Sequence, residues 1–140
     1  MVYSFDGLNY LIKLNKGERL GEAIEQFVRE TKIEGAWVNG IGAALETTLG
    51  FYDLNTQQYQ WQTYSELREV VSLSGNLAYD EQGAMVFHLH GVFSDRQFQT
   101  VGGHVKDLVA GATVELFVHC AYQPTRRKTD PAAGLQTLDL

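Results

Sequence analysis

Three of the four histidines in this chain are His88 and His90, in the word Phe87-His88-Leu89-His90-Gly91, and His104, which follows Gly102-Gly103. On a strand alternate side chains share a face, so His88 and His90 project the same way, with Cα atoms about 6.6 Å apart at ~3.3 Å per residue. Two imidazoles at that spacing can converge on one ion. A third ligand must come from elsewhere in the fold, and Gly102-Gly103 lets the backbone approach closely or adopt positive φ just before His104. Three neutral nitrogen ligands with an open fourth position suit zinc, and nickel, iron or copper are chemically allowed. Spacing alone leaves a blander reading open, because strand histidines also serve as hydrogen-bonded core or interface groups.

With a metal and an open position, bound water could act as a nucleophile near neutral pH, and a carboxylate such as Glu115 or Asp95 could handle the proton. The sequence places neither acid against the site, so no catalytic residue is assigned. His119 adjoins Cys120, but neighbouring strand residues point to opposite faces, which makes them poor joint ligands. His119 therefore reads as structural, and Cys120, in an apolar run, as a small core residue. Asn39-Gly40-Ile41-Gly42-Ala43 invites comparison with a dinucleotide loop, but the third glycine is missing and strand composition resumes at Thr47. A tight bend, or a backbone contact at an oligomer seam, is expected there. Arg126-Arg127-Lys128 is the one basic cluster and reads as solvated charges in a tail.

These side chains need a scaffold. Tyr10 to Leu14 reads as a strand, and Asn15-Lys16-Gly17 turns the chain into its one persuasive helix, from Glu18 to about Lys32. There Leu20, Ala23, Ile24, Phe27 and Val28 recur at three- and four-residue steps, giving one buried face. Strand character follows at Gly35 to Val38, Thr47 to Tyr52, Gln58 to Tyr64, Glu69 to Leu77, Ala84 to Phe93, Phe98 to Val105 and Thr113 to Tyr122. Asp80-Glu81-Gln82-Gly83 predicts a hairpin between two of them. The expectation is an α+β domain: a mostly antiparallel sheet of about seven strands with one main helix packed on it. It should span residues 1–123, with residues 124–140 as a C-terminal arm or tail.

At 140 residues, with a net charge of −6 and a pI near 5.1, one acidic domain with a real core is expected. Such a charge balance disfavours nonspecific binding to a phosphate backbone. No run approaches the roughly 20 apolar residues of a membrane span, and the first residues lack a basic start with an apolar stretch. The expected location is cytoplasmic. One cysteine cannot make an internal disulfide.

The ordered string of Asn39-Gly40-Ile41-Gly42, Gly50-Phe51-Tyr52, Glu69 to Asn76, His88-Leu89-His90, Gly102-Gly103-His104 and Glu115 resembles the plant-and-prokaryote-conserved (PPC or PCC) domain, from about Tyr10 to Tyr122. The resemblance implies a homotrimer in which His88, His90 and His104 hold a metal, most often zinc, near a subunit boundary. It also implies a module that contacts other copies and proteins; a small molecule is a further partner that such a site could take. In plants the domain is joined to AT-hooks that grip the DNA minor groove, and stand-alone prokaryotic members share a DNA-binding label. No Arg-Gly-Arg-Pro hook occurs in this sequence, so nucleic acid is a doubtful partner. Three functions thus stand open: a trimeric metal-binding interaction module, a metal-dependent hydrolase or lyase on the same histidines, and a transcription-linked DNA binder.

Overall fold

The computed structural model describes all 140 residues. In chain order its elements are β1 (Val2–Phe5), β2 (Asn9–Asn15), α1 (Leu20–Thr31), β3 (Ala36–Asp53), β4 (Gln58–Tyr64), β5 (Arg68–Tyr79), β6 (Met85–Ser94), β7 (Thr100–Cys120), β8 (Arg126–Asp130) and β9 (Leu135–Asp139). The α+β expectation holds, with two corrections to the sheet. It has nine strands rather than about seven, and it is mixed, because β5 meets β8 in parallel at Tyr79 and Arg126. No helix is long and apolar enough to cross a membrane.

The count differs for identifiable reasons. The strands expected at 35–38 and 47–52 are one 18-residue strand, β3, and those expected at 98–105 and 113–122 are one 21-residue strand, β7. The Asn39–Ala43 segment, the expected site of a tight bend between two strands, is a β-bulge inside one: the β3–β5 register shifts between Gly40 and Gly42, and Gly42 sits at φ 147°. Bulges bend a strand while pairing continues on either side. β1, β8 and β9 are short and largely exposed or polar, so they carry little of the hydrophobic alternation by which a strand is read.

Antiparallel pairing of β3 with β5, β5 with β6, β6 with β7 and β7 with β3 makes a closed circuit of four strands. The predicted hairpin at residues 80–83 joins β5 and β6, and the Asp80 carboxylate accepts from the Gln82 and Ala84 amides. α1 lies over the sheet as its periodicity requires, burying Leu20, Ala23, Ile24 and Phe27. These meet Ile12, Leu14, Val38, Leu89, Leu116 and Val118 in one core. The helix start is anchored from β7, where Asp107 Oδ1 accepts from the Gly21 amide at 3.0 Å. A carboxylate there satisfies a free amide of the first turn and favours the positive end of the helix dipole.

Within residues 124–140, expected as a C-terminal arm or tail, β8 and β9 form a hairpin whose antiparallel register runs from Arg126 with Asp139 to Asp130 with Leu135. Cys120 is half-buried at the end of β7 and not a core residue.

Candidate metal centre

Local periodicity fixes the first two histidines. On β6, Leu89 is fully buried in the core, so the residues on either side of it, His88 and His90, turn to the opposite face of the sheet. The third arrives through strand pairing, because His104 of β7 stands directly opposite His90. That register is set by the turn between the strands, where Asp95 Oδ1 accepts from the Gln97 and Gln99 amides at 2.9 and 3.0 Å. Of the two roles expected for Gly102-Gly103, close approach is the one realised. A Cβ on Gly102 would lie 2.9 Å from the Gly91 carbonyl oxygen, and one on Gly103 would lie 2.8 Å from that of Gly50, while neither residue has positive φ. β7 can thus lie against β6 on one side and β3 on the other at His104.

The three rings face one another, with centroids 5.2 Å apart for His88 with His90, 5.2 Å for His88 with His104 and 5.6 Å for His90 with His104. One nitrogen of each lies within 4.8 Å of the others. A tetrahedral ion with bonds of ~2.0–2.1 Å needs ligand nitrogens about 3.4 Å apart, a gap that small side-chain rotations close. His104 Nδ1 is buried and has no hydrogen-bond partner. A buried ring nitrogen left unpaired is costly, and a metal ion would satisfy it. The donor set fits.

The surroundings disfavour the charged form of two of these rings. Burial, followed by the charge of Arg127 and then by His104 and His90, pushes His88 down to about 4. Burial also lowers His104, helped by His90 and Arg127. Neutral imidazole is the form that binds metal.

Two features of the site escaped the sequence reading. The first is Arg127, expected as a solvated charge and found only 5% exposed. From β8 its Nη2 donates to Asn76 Oδ1 at 3.0 Å and to His88 Nδ1 at 2.9 Å, and its Nη1 donates to the Gln136 carbonyl at 2.7 Å. Since a guanidinium only donates, His88 Nδ1 must accept, and the neutral ring then carries its proton on Nε2. Nothing local in Arg126-Arg127-Lys128 marks the middle residue as the buried one beyond the alternation of a strand. The second is an aromatic wall. Tyr59 and Trp61 of β4 stack at 4.6 Å, and their rings lie 5.0 and 5.9 Å from that of His104. Gly50, between His104 and Trp61 in the sheet, makes room, since a Cβ there would lie 2.6 Å from the Trp61 ring.

Other residues considered for chemistry lie apart. Asp95 is engaged in its turn, Glu115 accepts from Thr113 Oγ1 at 3.4 Å, and neither belongs to the three-histidine group. His119 pairs its Nδ1 with Asn9 Oδ1 at 2.6 Å, the structural role expected of it.

The outward face continues beyond the histidines. Cross-strand partners share a face, and successive pairings put His90 in one lateral row with Ser74, Asn39, Phe117 and Leu11. Leu11, Phe117 and, one row along, Ile41 are exposed.

A sheet of this topology carrying three convergent histidines defines a small domain built around a candidate metal site. The chain belongs to the Plants and Prokaryotes Conserved (PCC) domain family, whose match covers residues 1–120. Among solved structures, a protein from Ralstonia eutropha called a "putative DNA-binding protein" is 33% identical with a TM-score of 0.91, covering 99% of this chain and 95% of that one. Another so named, from Bacteroides thetaiotaomicron, is 27% identical with a TM-score of 0.93, covering 99% and 96%. A metal-containing protein from Archaeoglobus fulgidus is 26% identical with a TM-score of 0.86, covering 100% and 99%. No curated protein matches the chain.

Proposed function

We propose that this protein is a cytoplasmic metal-binding interaction module in which His88, His90 and His104 hold one divalent transition metal ion, zinc before others, and which assembles as a homotrimer. The observation that carries the metal is the convergence of three imidazole nitrogens within 4.8 Å, with the His104 ring also holding a buried, unpaired Nδ1. The metal-containing relative supports the same reading. Such an ion supplies Lewis acidity when bound. The chain's own contribution is to hold two of the rings neutral by burial and to bring them into one patch through the β6–β7 pairing.

Assembly is supported by exposed apolar side chains further along the same face, beyond Ser74 and Asn39. Ile41 is 59% exposed and Phe117 43%, on the face that continues from His90, and a contiguous exposed apolar area is what an interaction surface requires. The threefold order is what the family resemblance implies.

A nucleic-acid role, suggested by the names of two relatives, finds little support in this chain's charges. Of its basic cluster Arg127 is buried, Arg126 pairs with Glu34 and Lys128 with Asp139. A hydrolase or lyase role lacks a carboxylate in the histidine group.

Elemental analysis of the purified protein tests the metal. About one ion per subunit is expected, with loss on His90→Ala, a substitution at an exposed position that leaves the core untouched. Undiminished metal in that variant would refute the ligand assignment.

A further inference from the structure

Arg127 and the three histidines together pose a charge problem that no side chain solves. The guanidinium is buried, yet its contacts are a carbonyl, an amide oxygen and an imidazole nitrogen, all neutral. Its Nε is buried with no partner at all. A buried cation without an anion is costly. A divalent ion on three neutral imidazoles would add two more positive charges close by, and the group contains no Asp or Glu.

A neutral imidazole has one acceptor nitrogen, and in His88 that nitrogen now receives Arg127 Nη2. A metal on Nδ1 takes the lone pair directly. A metal on Nε2 moves the ring proton to Nδ1, which then donates and cannot accept. Either way the Arg127 donor is released from His88, still buried and still charged.

We propose that the metal-loaded site takes a small carboxylate, with the Arg127 guanidinium as its charge partner. The inference rests on the metal reading above and names the ligand class of that site. A carboxylate matches the planar guanidinium fork. The Tyr59–Trp61 wall beside His104 offers apolar contact to a hydrocarbon body, which inorganic phosphate lacks.

Cobalt(II) reports the outcome, because its visible bands change when an anion joins the coordination sphere. Cobalt-loaded protein is titrated with benzoate, acetate and inorganic phosphate, for wild type, Arg127→Gln and Arg127→Lys, with the fold checked by circular dichroism. Benzoate should shift the bands saturably and bind more tightly than acetate or phosphate. Arg127→Gln should weaken it at least about tenfold, the scale of one charge-assisted hydrogen bond, and Arg127→Lys should restore part of the loss. Should the glutamine variant not fold, the lysine variant and the wild-type anion order decide. Cobalt uptake with bands indifferent to benzoate, tighter binding of phosphate, or equal benzoate binding by all three proteins overturns this inference alone. No cobalt uptake by wild type overturns the metal reading, and this inference with it.

Discussion

Replacing Gly103 by alanine probes the backbone contact that delivers His104. The new Cβ would sit 2.8 Å from the Gly50 carbonyl oxygen, where ordinary contact begins at 3.4 Å, and 3.8 Å from Leu49 Cβ. The near atom is backbone at the last pair of the β3–β7 ladder, where Gly50 is also paired with Trp61 of β4, and cannot rotate away, so the strands must separate by about 0.6 Å, the difference between 3.4 and 2.8 Å. Overpacking of this kind costs about 1–3 kcal/mol. It also displaces the neighbouring His104 relative to His88 and His90 by more than the ~0.2 Å tolerance of a metal–ligand bond, so metal affinity should fall about tenfold or more. Urea denaturation of the metal-free protein at fixed concentration measures the first effect, and chelator competition the second. Gly21→Ala is the control. Its Cβ meets only the Asp107 carboxylate, at 3.6 Å from Oδ1 and 3.9 Å from Cγ, and in a helix it should stabilise by about 0.5–1 kcal/mol without touching metal affinity. A Gly103→Ala protein that matches wild type in both urea midpoint and metal affinity would refute the close-approach argument.

Acid should weaken the metal-free fold in a defined window. His88 titrates near 4 when folded and near 6.5 when unfolded, so between those values the unfolded chain binds the extra proton and stability falls as pH falls. Its contribution is fully present above about 6.5, and His88→Gln should flatten the dependence in urea midpoints taken from pH 7 to 4. Phe27→Ala empties a fully buried position between helix and sheet and should cost about 3–5 kcal/mol in the same assay. Ile41→Glu puts a charge on the exposed apolar face while sparing the core. Sedimentation should show its mass falling from three subunits toward one, and an unchanged mass would move the interface elsewhere.

Much of the candidate site was legible because it depends on period. His88 and His90 flank Leu89, and in a half-buried strand the apolar middle residue sends its neighbours outward together. The helix was equally plain, since Leu20, Ala23, Ile24 and Phe27 keep a helical spacing. The strand count was less legible. The Asn39–Ala43 glycines look like a tight bend, but a bulge keeps pairing through them, and β1, β8 and β9 are too short to carry much hydrophobic alternation.

Residue types and their spacing along the chain determined the α+β class, the buried helix face and the shared direction of two imidazoles, because each follows from the geometry of a single element. Where His104 would land was decided in three dimensions, by the β6–β7 register that a five-residue turn imposes and by glycines that let carbonyls come close. The burial of Arg127 belongs to the same level. A charge 39 positions from His88 is brought beside it only when β8 docks along β5, and nothing in the residues around Arg127 records the environment that docking creates.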